Sequence, residues 1–269
     1  MWGREPSIAA QVFTDKMKLF KNTMFKLTLI NKKQETSNTT SFIFKSEQPL
    51  GWQAGQFLHY KLQHPTPDER KEDRWFTISS APHEGRVMLT TRVINHVRGR
   101  EGSQRASASN GVDKPSSFKA ALNNLPLGGT IEAEGPDGEF VVDDPNKDHI
   151  FIAGGVGVTP YRAILLDLER RGLPINVALF YTNGNQEFVY KDELEAVAKR
   201  NPGFKILYFV SPEKIDGAVI KKYVPDLQKP AFYVSGPEPM VVEFEKMLMD
   251  MGIPDEHIKR DYFSGYDWK

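Results

Sequence analysis

The 269-residue chain is expected to fold as two domains of different class, an antiparallel β-barrel or sandwich followed by an α/β unit on a parallel sheet. Three observations predict this. The first half carries short segments with period-two alternation and β-branched or aromatic residues, separated by turn clusters. From about residue 145, apolar strands alternate with amphipathic helical stretches, the pattern of a parallel sheet covered by helices on both faces. A polar DDPNKD stretch at 143–148 divides the two regimes.

Residues 1–22 mix charges with short apolar pieces, carry no export-signal core, and read as an N-terminal extension. Met17 or Met24 would serve equally as the start. FKLTLINKK (25–33), TTSFIFKS (39–46), QFLHYKLQ (56–63), RWFTIS (74–79) and RVMLTTRVI (86–94) follow as strands, with QPLGWQAG and HPTPDERKED as turns. The tract 96–115, HVRGREGSQRASASNGVDKP, has almost nothing apolar and reads as a solvated hairpin loop. SFKAALNNL (117–125) has helical spacing and precedes a last strand pair, TIEAEG and GEFVV. The second half alternates the strands HIFIAG (149–154), INVALFY (175–181), KILYFV (205–210) and AFYVSG (231–236) with helical stretches. These are PYRAILLDLERR, VYKDELEAVAKR, AVIKKYV and PMVVEFEKMLMDMG. The domains are therefore drawn at 1–22, 23–143 and 144–269.

Composition excludes several chemistries. Lys+Arg and Asp+Glu stand at 35 each, which argues against nucleic acid, since that partner needs a basic stripe to displace counterions. The chain has no cysteine, so a disulfide framework, a thiolate nucleophile and an all-cysteine zinc or iron–sulfur site are ruled out. The six histidines are not spaced as a metal pair, and no metal is expected. No apolar run approaches the roughly 18–20 residues that span a bilayer. A cytoplasmic setting is expected.

Two segments carry most of the chemistry. HIFIAG runs into GGVGVTP and then a helix. Gly154, Gly155 and Gly157 remove side chains where the strand turns, opening backbone N–H groups to a ligand. Thr159 reads as the N-cap and Pro160 as the first helical residue of an anion-binding helix start. This is neither the GxGxxG fingerprint nor a P-loop, and a ligand-free turn remains a reading of this segment alone. AFYVSGPEPM repeats the logic, with Ser235 and Gly236 ending a strand and Pro237 leading into a helix. Two such turns on one carboxyl edge favour a dinucleotide; Met240 reads as a buried helix side chain. In RWFTISSAP, Arg74 lies near Thr77, Ser79 and Ser80. By alternation Arg74, Phe76 and Ile78 share one face, and Trp75, Thr77 and Ser79 the other. Guanidinium with hydroxyls suits pyrophosphate, and an adjacent aromatic suits a stacked ring. Read alone, Arg74 is as readily a surface partner of Glu72 or Asp73.

RWFTISS, GPDGEF (135–140), GGVGVTPYR (154–162), VSGPEPM (234–240) and YFSGY (262–266), in this order, resemble the ferredoxin–NADP reductase family. More narrowly, they are similar to the bacterial FAD- and NAD(P)H-dependent oxidoreductases without an iron–sulfur domain. The resemblance covers about residues 24–266. It implies a flavin-binding β-barrel followed by a Rossmann-like nicotinamide domain, with FAD as cofactor in preference to FMN. Matched to the family's Arg-x-Tyr-Ser-x-x-Ser motif, Arg74 would hold the flavin pyrophosphate, Phe76 pack on the isoalloxazine, Thr77 approach its N5, and Ser80 close the motif. Ser117 would cap a short helix facing the phosphates. Gly155, Gly157, Val158, Thr159 and Pro160 would hold the nicotinamide dinucleotide together with Gly236 and Pro237. Ser235 takes the place of a cysteine beside the nicotinamide. Thr77 and Ser235 are the expected catalytic pair. Tyr266 is taken as the aromatic covering the flavin, with Phe263 and Trp268 as alternatives. Arg92 is expected on the surface.

The implied reaction takes hydride from NADH or NADPH to FAD N5 and releases electrons to a separate acceptor. That acceptor would be a ferredoxin, flavodoxin, oxygenase component or small oxidant. YTNGNQEF, with no cation before Lys191, leans towards NADH. Arg98, Arg100, Arg105 and Lys114 read as a solvated loop more readily than as a docking patch. A catalytically silent nucleotide-binding subunit of the same fold is the alternative.

Overall fold

The computed structural model describes residues 23–93 and 116–263. The extension at 1–22, the 96–115 loop with its cations, Tyr266, Trp268 and the side chain of Phe263 lie outside the described residues.

The first domain is one six-stranded sheet in the order β4-β3-β6-β1-β2-β5, with every pairing antiparallel. Its strands are β1 (Met24–Thr36), β2 (Thr39–Ser46), β3 (Phe57–Lys61), β4 (Asp73–Thr77), β5 (Val87–Arg92) and β6 (Thr130–Asp137). Alternation places Phe25, Leu27 and Leu29 of β1 inward, against Phe42, Phe44, Leu58, Tyr60 and Leu89. The sheet curls so that its edge strands meet: the Ser79 amide donates to the Met88 carbonyl at 2.7 Å. Helix α1 (Ser117–Asn124) closes one end with Phe118 and Leu122. Its cap is Ser116, whose hydroxyl accepts from the Lys119 amide, and not Ser117, which is the first helical residue.

TIEAEG and GEFVV do not form the expected strand pair. The former lies within β6, and GEFVV is irregular. Gly138, at φ 105°, turns the chain off the sheet. A Cβ there would meet the Phe57 ring at 2.7 Å. Phe140 then leaves the first domain to pack against Tyr161 and Tyr233 of the second.

The second domain is a five-stranded parallel sheet in the order β11-β10-β7-β8-β9. Its strands are β7 (His149–Gly154), β8 (Val177–Asn183), β9 (Phe204–Val210), β10 (Ala231–Pro237) and β11 (Ile258–Phe263), and its helices are α2 (Thr159–Arg170), α3 (Lys191–Arg200), α4 (Gly217–Tyr223) and α5 (Glu238–Asp250). The chain builds outward from β7 to β9, then returns to place β10 on the other side. The order therefore reverses between β7 and β10, at the carboxyl ends where ligands bind in open α/β sheets. The charged IKRDYF of the edge strand β11 carries little apolar signal.

Residues 155–158 form a 3₁₀ turn before α2. Thr159 is thus the first helical residue and Pro160 the second, with Val158 at the cap and no side-chain cap bond. The two domains share a core: Ile43, Ala54, Met88 and Phe140 of the first belong to one buried cluster with Tyr161, Ile164 and Tyr190 of the second.

Candidate functional site

Arg74 is buried, only 9% exposed, so the surface reading fails. Its partner is neither Glu72 nor Asp73 but Asp68, in the HPTPDERKED turn. Arg74 Nη2 donates to both Asp68 oxygens at 2.6 and 2.8 Å. Nη1 donates to the carbonyls of Arg70 and Asp73. The same carboxylate accepts from the Ser117 amide at the start of α1, at 3.0 Å. Asp68 is held ionised, its pKa lowered to about 2 against the cost of burial, chiefly by the Arg74 hydrogen bond and then by the Ser117 and Arg70 amides. Arg74 Nε, buried, has no partner among the described residues. Guanidinium and helix start thus converge on an oxyanion, with the chain's own carboxylate standing in for it. These residues fit a phosphate group. Beside them Phe76 is partly exposed and packs against Phe118 and Tyr60, a wall suited to a flat ring system. The expected alternation of exposure holds to Phe76 and breaks at Thr77: Trp75 points out at 55% exposed, while Thr77, Ile78, Ser79 and Ser80 are all buried.

Thr77 and Ser235 meet on a residue that the sequence did not single out. Asp261 Oδ2 accepts from Ser235 Oγ at 3.0 Å and from Thr77 Oγ1 at 3.4 Å. β11 supplies Asp261 in register with Ser235. Asp261 as a residue is only partly buried, but its carboxyl end turns inward. Burial pushes its pKa up to about 6, more than the two hydroxyls lower it. A carboxyl poised near neutrality thus joins one hydroxyl from each domain.

At the carboxyl edge the glycines divide into two groups. A Cβ on Gly157 would lie 2.3 Å from the Ser235 carbonyl oxygen, and one on Gly154 would lie 2.3 Å from Met240 Sδ. Gly236 likewise faces Met240. These glycines let β7, β10 and α5 approach one another, and Met240 is a partly buried packing residue. Gly155, at φ 54°, has no such close approach: Arg92 Nη2 at 3.6 Å and Asn183 Oδ1 at 3.7 Å stand at ordinary van der Waals distance from its would-be Cβ. Arg92 is partly buried and lines a cleft between the domains with Asn38, Gly155, Asn183, Asn185 and Glu187. Val158, Thr159 and Pro160 are buried at the turn. Pro237 is partly exposed beside them. Ser80 uses its hydroxyl within the protein, donating to the Arg86 carbonyl and accepting from the Met88 amide. Ser117 Oγ accepts from the Asp68 amide and bonds His64 Nε2.

Among the described residues no group of three or more His, Asp or Glu is placed to hold a metal, and no helix is long and apolar enough to cross a membrane.

The two domains match two family models. Residues 26–142 match the oxidoreductase FAD-binding domain and residues 151–246 the oxidoreductase NAD-binding domain. One of the proteins that make up the Na(+)-translocating NADH-quinone reductase of Methylococcus capsulatus is 28% identical over 209 residues, which are 71% of this chain and 49% of that protein. The chain therefore spans about half the length of such relatives. Among solved structures, the flavohem-like FAD/NAD binding domain of nitric oxide dioxygenase from Vibrio cholerae aligns with a TM-score of 0.72 at 21% identity, covering 89% of this chain and 98% of that one. Ferredoxin-NADP+ reductase from Plasmodium falciparum aligns at 0.70 and 18%, covering 91% and 100%. The oxyanion site of the barrel thus falls in an FAD-binding domain, and the glycine-lined sheet edge in an NAD-binding domain. The chain belongs to the oxidoreductases that join an FAD-binding domain to an NAD-binding domain.

Proposed function

We propose that this chain is an FAD-dependent NAD(P)H oxidoreductase that takes hydride from a nicotinamide dinucleotide and passes electrons to a separate acceptor. The observation that carries the proposal is the junction at Asp261. There Thr77 of the FAD-binding domain and Ser235 of the NAD-binding domain reach one carboxylate. FAD supplies the capacity to accept two electrons and release them singly or together.

The protein's part is to bind and align. Arg74 and the Ser117 amide hold the pyrophosphate, and Phe76 packs on the flavin ring. Thr77 presents a hydroxyl to the reacting edge of that ring. The turns at 155–160 and 235–237 hold the nicotinamide dinucleotide against it. Asp261 orients both hydroxyls and holds a proton near neutral pH. The functional units are drawn at 23–143 and 144–269. NADH is the proposed donor, since the segment after β8 brings Asn183, Asn185 and the Glu187 carboxylate to the cleft and no cation of its own, the Arg92 guanidinium there coming from the FAD-binding domain. The acceptor is proposed as a ferredoxin, a flavodoxin, an oxygenase component or a small oxidant, in the cytoplasm.

The test is the visible spectrum of the purified protein, reconstituted with FAD, recorded anaerobically before and after NADH or NADPH. A flavin band bleached by NADH, with a higher specificity constant than for NADPH, is expected. A protein that retains no flavin, or whose flavin neither nucleotide bleaches, refutes the proposal, and a hundredfold preference for NADPH refutes the choice of donor.

A further inference from the structure

Arg162 lies on α2, one turn beyond the 3₁₀ segment that follows Gly154, and is 6% exposed. It is the last residue of the GGVGVTPYR motif, and no part of the proposed chemistry uses it. Its guanidinium is saturated from both domains. Nη1 donates to the Ser79 carbonyl at 2.9 Å and to Glu84 Oε2 at 2.8 Å, and Nη2 donates to Glu84 Oε1 at 3.2 Å. These three acceptors belong to the FAD-binding domain. Nε and Nη2 donate to the two oxygens of Glu193 on α3, at 2.6 and 2.8 Å, within the NAD-binding domain. The guanidinium also lies over the Tyr190 ring, 5.1 Å from its centroid. Tyr190 crosses back, its hydroxyl bonding Thr90 Oγ1 at 2.5 Å and Ser41 Oγ at 3.3 Å in the FAD-binding domain.

The carbonyl that Arg162 holds belongs to Ser79, two residues after Thr77. The helix that carries Arg162 begins at the nicotinamide turn. A single planar fork therefore ties the end of the flavin-motif strand to the start of the nicotinamide helix. Glu84 is itself fixed, accepting from the Ala81 amide at 2.7 Å, so the far end of the clamp is rigid. Lysine has one ammonium in place of the five-donor fork and cannot satisfy two carboxylates and a carbonyl in one plane.

We infer that Arg162 is the positioning residue that sets the distance between the flavin and nicotinamide sites, acting through Ser79 and Glu84 without touching either cofactor. This inference rests on the proposed function. Hydride transfer demands reacting atoms about 3–3.5 Å apart, and a displacement of about 1 Å costs roughly a hundredfold in rate.

The test compares wild type with Arg162→Lys and Glu84→Gln, both of which keep a side chain of similar length. Three readouts are taken: FAD content, the limiting rate of anaerobic flavin bleaching with its isotope effect for C4-deuterated nicotinamide, and amide hydrogen exchange of the flavin-free protein. Expected for R162K is a limiting rate at least tenfold lower, an enlarged isotope effect, and unchanged FAD content and nicotinamide affinity. Exchange should be faster at 79–84 and at 188–193 and unchanged in β1 and β2. E84Q should show the same pattern more weakly. A limiting rate, isotope effect and exchange pattern equal to wild type overturn the inference. A loss of rate matched by an equal loss of FAD or by exchange increased across the barrel overturns it as well, since that is general destabilisation. Should the wild type itself not be bleached by either nucleotide, the proposed function fails and the inference falls with it. Bleaching by wild type alongside an unaltered R162K removes only the role of Arg162.

Discussion

Replacing Asp261 by asparagine should stabilise the protein, and only above about pH 4. The carboxyl has been moved from its ordinary 3.8 to about 6 by burial. At about 1.4 kcal/mol for each tenfold change in proton affinity, that is a cost of up to about 3 kcal/mol when the group is ionised in the folded state. The folded protein binds the proton more tightly than the unfolded chain. Wild-type stability attributable to this group is therefore full below about pH 4, falls between about pH 4 and pH 6, and is flat above. Asparagine keeps an acceptor for Ser235 and Thr77 at the same place but cannot ionise. At about pH 8, D261N should therefore melt some 6–12 °C above wild type, at 2–4 °C per kcal/mol for a chain of this size, and the gap should close by about pH 4. Thermal unfolding of the flavin-free protein across that range measures it. A difference between D261N and wild type that does not change with pH would refute the reasoning, because it would mean that the carboxyl is not ionising in a buried setting. The same variant should lose the step near pH 6 that the wild type is expected to show in its limiting bleaching rate.

Arg74→Ala should weaken FAD retention by at least about tenfold, read as flavin absorbance per protein, since it removes a charged, bidentate-capable donor from the oxyanion site. Asp68→Asn should do the opposite and tighten FAD, because the carboxylate occupies the donors a phosphate needs; equal or weaker affinity by fluorescence titration would contradict this. Gly157→Ala forces a Cβ to within 2.3 Å of the Ser235 carbonyl oxygen, an overpacking worth about 1–3 kcal/mol and a drop of several degrees in melting temperature. Gly155→Ala, whose Cβ would meet Arg92 and Asn183 only at van der Waals distance, should cost only about 1 kcal/mol for its left-handed backbone and act instead on nicotinamide affinity. Tyr190→Phe removes a buried hydroxyl from two bonds across the domain interface, an expected loss of about 1 kcal/mol by thermal melt with FAD content unchanged.

What could be read from the residues was local. Period-two alternation located β1 to β5, and the switch to strand–helix alternation located the second domain, because each segment buries one face and shows it in composition. Thr77 and Ser235 were singled out by the resemblance of RWFTISS and VSGPEPM to the family's motifs, while alternation alone located the strands that carry them. Asp261 was not, since a charged edge strand looks like any solvated segment until its register with Ser235 is known. Asp68 was hidden for a related reason: its meaning depends on a turn folding back by six residues onto Arg74. The glycines of 154–157 and 236 signalled a tight strand edge, but one-dimensional reading cannot divide those that admit a ligand from those that admit another strand. Three-dimensional approach distances separate Gly155 from Gly154, Gly157 and Gly236. GEFVV misled because its apolar run reads as a strand's would, yet only Phe140 is buried, and it packs into the neighbouring domain.

Two carboxylates sit at the proposed centre, and their surroundings push them in opposite directions. Asp68 faces a guanidinium and two backbone amides, which hold its pKa at about 2. Among the described residues Asp261 bonds two hydroxyls and no cation, and it is pushed up to about 6 by burial. A hydroxyl donates one weak hydrogen bond and carries no charge, so Ser235 and Thr77 cannot offset the loss of water as Arg74 does. The division assigns the roles. Asp68 remains an anion across the whole working range and can compete only as a charge. Asp261 is the one of the two whose proton comes and goes near neutral pH. It stands between the one hydroxyl each domain contributes, so a change in its protonation reaches the flavin side and the nicotinamide side together.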